Sequence, residues 1–169
     1  INLTAPPVAP DVAACTANPI PDITAAGTNI QWYDNAGNLL HSGTPFAAGQ
    51  TTAGTYTYYV TQTNIVTTCS SQKDTVHLVI STQPTTAPLV QDKDVCVGAV
   101  IPNLVATTGT IIRWYSDPGL TNKVFTGNTF ATGLTAAGNY TFFVTDSTSG
   151  CPTGPSDPVL LTINPLPAT

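Results

Sequence analysis

The sequence predicts an all-β chain in which one sandwich-type domain is written twice. Three observations carry that prediction. Thr occurs 31 times and is joined by Val, Ile and Tyr, side chains that suit a pleated, half-buried surface, whereas Glu and Met are absent. Short apolar alternations recur about every 8 to 15 residues, and most of the 15 Pro and 13 Gly fall between them as turn punctuation, which is the spacing of a sandwich or barrel. The chain also repeats itself: Cys15 answers to Cys96, "IQWYD" (30–34) to "IRWYS" (112–116), Gly54-x-Tyr56 to Gly138-x-Tyr140, Cys69 to Cys151, and "VHLVI" (76–80) to "VLLTI" (159–163). The offset drifts only between 81 and 84, so the few insertions belong in loops.

The repeat sets the expected boundaries. Residues 5–82 form domain 1, 83–86 a linker and 87–165 domain 2. Residues 1–4 read as the tail of a preceding repeat and 166–169 as the start of a linker to the next, so the expectation is a piece of a tandem array. The joining segments are rich in Thr and Pro, a composition that favours extended, semi-rigid spacing. Domains of this size bury a small fraction of their surface, and a disulfide in each would help.

Within the first repeat the expected strands are Ile20 to Ala25, Asn29 to Tyr33, Leu39 to Ser42, Thr55 to Thr63 and Thr75 to Ile80. "DNAG" (34–37) is a strong turn signal, and "SDPG" (116–119) stands in its place in the second repeat. Side chains alternate along a strand, so faces follow from period two. Tyr56, Tyr58 and Val60 share one face, and the Thr-rich face opposite tolerates water, so the tyrosine face is the core. Trp32, Tyr56 and Tyr58 in the first repeat and Trp114, Tyr140 and Phe142 in the second are the expected structural core. Tyr33, Tyr59, Tyr115 and Phe143 point outward by the same count and form a candidate contact face.

A Trp on an early strand, followed about 25 residues on by the tyrosine of "AGxYxxxV", resembles the immunoglobulin-like sandwich. In that comparison Tyr56 and Tyr140 resemble the tyrosine-corner residue at the start of strand F. An antibody domain would place Cys two residues later, where this chain has Tyr58 and Phe142. The early Cys, central "WY", "GxYxYYVxQ" strand, second Cys, "VxLxI" strand and Pro-rich link are together similar to the Ig-like repeats of very large secreted and cell-surface proteins of Bacteroidetes. Those include adhesins, gliding-motility adhesins and polysaccharide-degrading proteins. The fold class expected is therefore two tandem immunoglobulin-like β-sandwich domains.

Four cysteines permit three pairings. The repeat makes one of them simplest, Cys15–Cys69 and Cys96–Cys151, one bond within each unit. Each would close a loop of about 55 residues, a contribution of about 4 kcal/mol by chain entropy, and would imply an oxidising compartment. A four-thiolate zinc site is the alternative, but no C-x-x-C spacing exists.

No residue pattern calls for catalysis. The histidines, His41 and His77, have no nucleophile motif around them and no counterpart in the second repeat. Most of the nine Asp lie beside Pro, Gly or Asn in turns; Asp34, Asn35 and Asn38 are the closest approach to a calcium loop, and "DKD" (92–94) reads as solvated linker. No cofactor and no metal are expected. The four basic residues, Lys73, Lys93, Lys123 and Arg113, build no patch for nucleic acid or an anionic membrane, and no apolar run approaches the ~18 residues of a span. The three Lys do not recur at equivalent positions, which argues against a Lys–Asn isopeptide cross-link.

The functional expectation is a non-enzymatic, extracellular, monomeric segment of a large bacterial surface adhesin. Its partners would be adjacent repeats of the same chain and, through the outward aromatics, a surface polysaccharide or other extracellular ligand. An accessory spacer or carbohydrate-binding module of a secreted polysaccharide-degrading enzyme is the alternative.

Overall fold

A computed structural model describes residues 5–167, and these contain strands, turns and bends but no helix. The expected preceding tail, residues 1–4, and the last two residues of the expected following linker lie outside the described residues. Two compact units emerge: residues up to Thr82 together with Ser149–Cys151, and Gln83–Thr148 together with the chain from Pro152.

Unit 1 holds β1 (Val12–Cys15), β2 (Gln31–Tyr33), β3 (Leu39–Ser42), β4 (Gly54–Thr61) and β5 (Asp74–Ser81). They form one five-stranded sheet in the order β1-β5-β4-β2-β3. Unit 2 holds β6 (Lys93–Cys96), β7 (Leu104–Val105), β8 (Arg113–Tyr115), β9 (Lys123–Thr126), β10 (Thr129–Phe130), β11 (Gly138–Thr145) and β12 (Ser156–Asn164). Its five-stranded sheet has the same plan, β6-β12-β11-β8-β9, and a second layer is the pair β10-β7.

In unit 1 the second layer is reduced to single bridges, Ile23↔Phe46 and Val8↔Ala26. The expected strand from Ile20 to Ala25 is therefore only a bridge at Ile23. Beyond Ile23 the ladder stops because Ala25 N donates to the Thr44 side chain (Oγ1, 3.2 Å), whereas in unit 2 Ala106 N donates to Asn128 O at 2.8 Å and the pairing continues through β7.

Two of the strands that periodicity did not flag are β1 and β6. Each runs parallel to the last strand of its repeat, with Val12 opposite Leu78 and Lys93 opposite Leu161. Both are fastened by a carboxylate: Asp11 Oδ1 accepts from His77 N at 2.8 Å, and Asp92 Oδ1 accepts from Leu160 N at 2.8 Å. Asn164 Nδ2 donates to Asp94 Oδ1 as well. The "DKD" stretch is thus not solvated linker; it starts and anchors β6.

Each core is centred on a fully buried Trp. Trp32 packs with Ile23, Phe46, Tyr58, Val60, Val76, Leu78 and Ile80, and Trp114 with Leu104, Phe130, Phe142, Val144, Val159, Leu161 and Ile163. Phe46 stacks on Trp32 at 5.4 Å and meets Tyr58 edge-on at 5.2 Å; Phe130 stands at 5.5 Å from Trp114 and edge-on to Phe142 at 5.1 Å. Edge-to-face rings add about 0.5–1.5 kcal/mol beyond area burial. Each indole N–H is satisfied at 2.9 Å, by Gly43 O and Gly127 O respectively, which lets so large an amphipathic side chain be buried completely.

Candidate functional site

The cysteines form one bond, and it is neither of the two expected. Cys15 is joined to Cys151, with Cα atoms 4.8 Å apart and a sequence separation of 136. Strand direction explains why the expected pairs do not form. Because β1 runs parallel to β5, Cys15 lies opposite Ser81, at the far end of β5. Cys69 precedes Asp74, the near end of that strand. The seven steps along the eight residues of β5, at about 3.3 Å each, separate the two ends of the strand by about 23 Å, whereas a disulfide needs Cα atoms within about 7 Å. The same holds in the second repeat: Cys96 lies opposite Asn164 at the end of β12, and Cys151 precedes its start at Ser156. Cys69 and Cys96 are exposed, and Cys69 is not bonded to Cys15, nor Cys96 to Cys151.

What seats Cys151 is a glycine. Gly150 has φ +77, and a Cβ there would meet Ala14 N at 2.6 Å and Ala13 C at 2.7 Å. Only a residue without a side chain brings the turn this close to the β1 backbone. Cys15 is consequently 1% exposed, and Cys151 Sγ lies 3.5 Å from Ser81 O.

The outward aromatics differ between repeats. In unit 1 Tyr33 and Tyr59 are paired across β2 and β4, both half-buried. Lys73 Nζ stands 4.9 Å from the Tyr33 ring centroid and 5.6 Å from that of Tyr59, a cation held over two ring faces. Tyr33 donates to Gln31 Oε1 at 2.9 Å and Tyr59 to Asn35 Oδ1 at 3.1 Å. Sequence reading missed Lys73, whose only signal was its place just before β5. In unit 2 Tyr115 pairs with Phe143, but the expectation of an outward contact residue fails for Tyr115, which is 7% exposed. It is not among the residues clustered around Trp114, and its cross-strand partners are Phe143 and Lys123, with a register shift between Trp114 and Tyr115. Phe143 is half-buried.

Other sequence-predicted residues have structural tasks. Tyr56 donates to Thr52 O and Tyr140 to Ala136 O, each at 3.1 Å, closing the corner four residues upstream. Both Asp34 oxygens are occupied by Asn38, through its N and Nδ2 at 2.8 Å. Asn38 side-chain and backbone hydrogen bonds hold the Asp34 carboxyl below its ordinary value. Asp117 is lowered likewise, first by Thr121 N and then by Asn122 N. Hydrogen bonds from Asn38, Thr121 and Asn122 close these turns, and among the described residues no three His, Cys, Asp or Glu side chains are grouped to hold a metal. An open groove of about 620 Å³ beside β2, lined by Gly27, Asn29, Ile30, Ser42, Gly43 and Thr63, contains no titratable side chain. Among the described residues no helix is long and apolar enough to cross a membrane.

The geometry agrees with comparisons to known proteins. The model of the Ig-like domain described as CHU_C associated matches residues 4–81 and again 83–165. No curated protein matches the sequence. Among solved structures, the fibronectin(III)-like modules of Clostridium thermocellum CbhA superpose with a TM-score of 0.51 at 14% identity, covering 97% of this chain and 92% of that one. Immunoglobulin domains 1–4 of Sidekick-1 align at 13% identity and a TM-score of 0.38, over 95% of this chain and 49% of that one. Tandem domains of this kind fit a spacer or adhesion-type module and are typically non-catalytic, and a disulfide fits an extracellular setting. With two consecutive matches that together cover nearly its whole length, the chain belongs to the family of Ig-like domains described as CHU_C associated and carries two copies of it.

Proposed function

We propose that this chain is a non-enzymatic stalk segment of a large bacterial cell-surface adhesin, in its most specific version a gliding-motility adhesin. It works outside the cell as a monomer, with neighbouring repeats of its own chain as its main partners. The observation that carries this reading is the Cys15–Cys151 bond, which ties a residue of one family copy to a residue of the next. A cross-link of that kind resists lengthening under pull, because the chain between its ends, 136 positions apart, cannot be drawn out while it holds. Repetition of such units carries a binding region away from the cell and supplies avidity.

The test is made on intact producing cells. Antibodies to residues 5–165 are expected to label unpermeabilised cells, and deletion of those residues from the gene is expected to weaken attachment to a surface without loss of display. Co-purification of the segment with a polysaccharide-cleaving activity, and no surface labelling, would overturn the reading in favour of an enzyme accessory.

A second reading has its own observation. Tyr33 and Tyr59 form a ring pair on an outer sheet face, and such pairs stack on sugars. Lys73 already occupies those ring faces, so a polysaccharide would have to displace the ammonium. Pull-down with a panel of insoluble polysaccharides, comparing the natural chain with Tyr33→Ala plus Tyr59→Ala, decides it. Equal retention of both removes the carbohydrate reading.

A further inference from the structure

Cys96 occupies in the second repeat the place that Cys15 occupies in the first, and the match extends to individual hydrogen bonds. Cys15 lies opposite Ser81 and Cys96 opposite Asn164, each at the end of a parallel first strand. The next residue donates back to the last strand in both: Thr16 N to Ser81 O at 3.0 Å, Val97 N to Asn164 O at 2.9 Å. The turn that follows closes on the cysteine carbonyl in both: Asn18 N to Cys15 O and Ala99 N to Cys96 O, each 3.1 Å. The difference is cover. Cys15 is 1% exposed and bonded, whereas Cys96 is an exposed thiol and Val100, in the turn beside it, is 93% exposed.

We propose that Cys96 is the acceptor half of a second disulfide of the same kind, and that its partner is the cysteine of a further repeat at the position of Cys151. Repeats of this family would then be bonded in series, the first-strand cysteine of each to the turn cysteine of the next. The turn that delivers the partner is a property of the repeat. Gly150 before Cys151 has φ +77, and Thr68 before Cys69 has φ +57, the same left-handed region in a residue that rarely adopts it. A Gly in the incoming turn lets it lie against the β6 backbone as Gly150 lies against Ala13 and Ala14.

The bond forms by thiol–disulfide exchange. The Cys96 thiolate attacks a small-molecule disulfide such as oxidised glutathione and releases one glutathione thiolate. The incoming cysteine thiolate then attacks the mixed disulfide and releases the second. Two protein thiols are oxidised, one glutathione disulfide is reduced to two thiols, and two protons leave with them. The inference rests on the repeat and the Cys15–Cys151 bond, not on an adhesin role.

The experiment uses the whole chain extended at its C-terminus by a second copy of residues 83–165. In the added copy Cys96→Ser removes the competing thiol and Thr153→Ser marks its turn peptide by mass. The protein is oxidised in a glutathione redox buffer, alkylated and mapped without reduction. Cys96 is expected to appear linked to the marked turn peptide, with loss of its alkylation relative to the unextended chain, while Cys15 remains linked to the unmarked one. Gly150→Val in the added copy is expected to restore alkylation of Cys96 and leave Cys15–Cys151 intact. Full alkylation of Cys96 in the extended chain, or its bonding to Cys151 of its own repeat, would overturn the proposal. Absence of Cys15–Cys151 from the same molecule would overturn it too, by removing the template it is built on.

Discussion

Gly27 to Ile30 in the first repeat and Gly109 to Ile112 in the second occupy equivalent places but differ in backbone, with the positive φ at Asn29 in one and at Gly109 in the other, and they are fastened by different side chains. In the first, Gln62 Oε1 accepts from Thr28 N at 3.0 Å and its Nε2 donates to Ala5 O at 2.7 Å. In the second, the buried Asp146 stands at that position and Oδ1 accepts from both Thr110 N and Ile111 N, at 2.7 and 2.8 Å. The fold requires an acceptor at the end of the fourth strand and is indifferent to whether it is charged. The core shows similar tolerance: Tyr58 and Phe142 fill equivalent places, and the buried Tyr58 hydroxyl has no partner among the described residues. The outer face is where the repeats diverge, since Lys73 caps the rings of unit 1 and Ser156 stands in its place in unit 2. What the two copies share is the scaffold and its cysteine positions.

Substitutions at paired sites break or sharpen that comparison. The largest effect is expected at the tryptophans. Trp32→Ala and Trp114→Ala each remove a fully buried ring and its hydrogen bond, and each should destabilise its own repeat by about 3–5 kcal/mol in denaturant unfolding followed by fluorescence or circular dichroism. A clear inequality between them would deny that the two cores are equivalent.

The turn glycines should separate the repeats. At Gly109 an added Cβ meets Ile112 Cδ1 at 2.3 Å, and φ is +119, so Gly109→Ala is expected to cost roughly 2–5 kcal/mol. At Gly27 the φ is ordinary, and the close atoms, Gln62 Oε1 at 2.5 Å and Ile30 Cδ1 at 2.9 Å, are ends of flexible side chains. Gly27→Ala should cost about 1 kcal/mol, read in the same unfolding experiment.

Smaller and opposite effects are expected at the ring pair. Phe142→Tyr places a hydroxyl in a site where its counterpart finds no partner, and should cost about 1–3 kcal/mol. Tyr58→Phe should leave stability unchanged or raise it by about 1 kcal/mol or less, because it deletes an orphaned polar atom.

Acid should act on the two turns alike. Asp34 and Asp117 both have folded-state values below the ordinary 3.8. A carboxylate held lower in the folded state contributes fully above its unfolded value and loses that contribution as pH falls through the folded one. Stability below about pH 4 should therefore decline, and Asp34→Asn plus Asp117→Asn should flatten part of that slope in urea titrations between pH 5 and 2. Both groups are half-buried at surface turns and screened by solvent, so the effect is the smallest of the set.

Most of the scaffold could be read from period two. Trp32, Val60, Val76 and Leu78 carry the alternation, and all are buried. Phe46 and Phe130 escaped because neither lies in an alternating run; tertiary packing alone draws them onto the Trp rings. β1 and β6 escaped because "VAAC" and "KDVC" are too short and mixed to show a period, and a parallel partner leaves no hairpin signal. That omission carried over to the cysteines. Without β1 parallel to β5, nothing placed Cys15 and Cys69 at opposite ends of the sheet, and the repeat suggested the pairing within each copy. The burial of Tyr115 was equally out of reach, since alternation assigns a face and cannot say whether that face is covered.

The central claim is that one bond joins the two copies. Non-reducing peptide mapping of these 169 residues produced by themselves, alkylated before digestion, tests it directly. A single linked species containing Cys15 and Cys151, with Cys96 recovered alkylated, is the predicted result. Recovery of Cys15 linked to Cys69 and of Cys96 linked to Cys151 would contradict it.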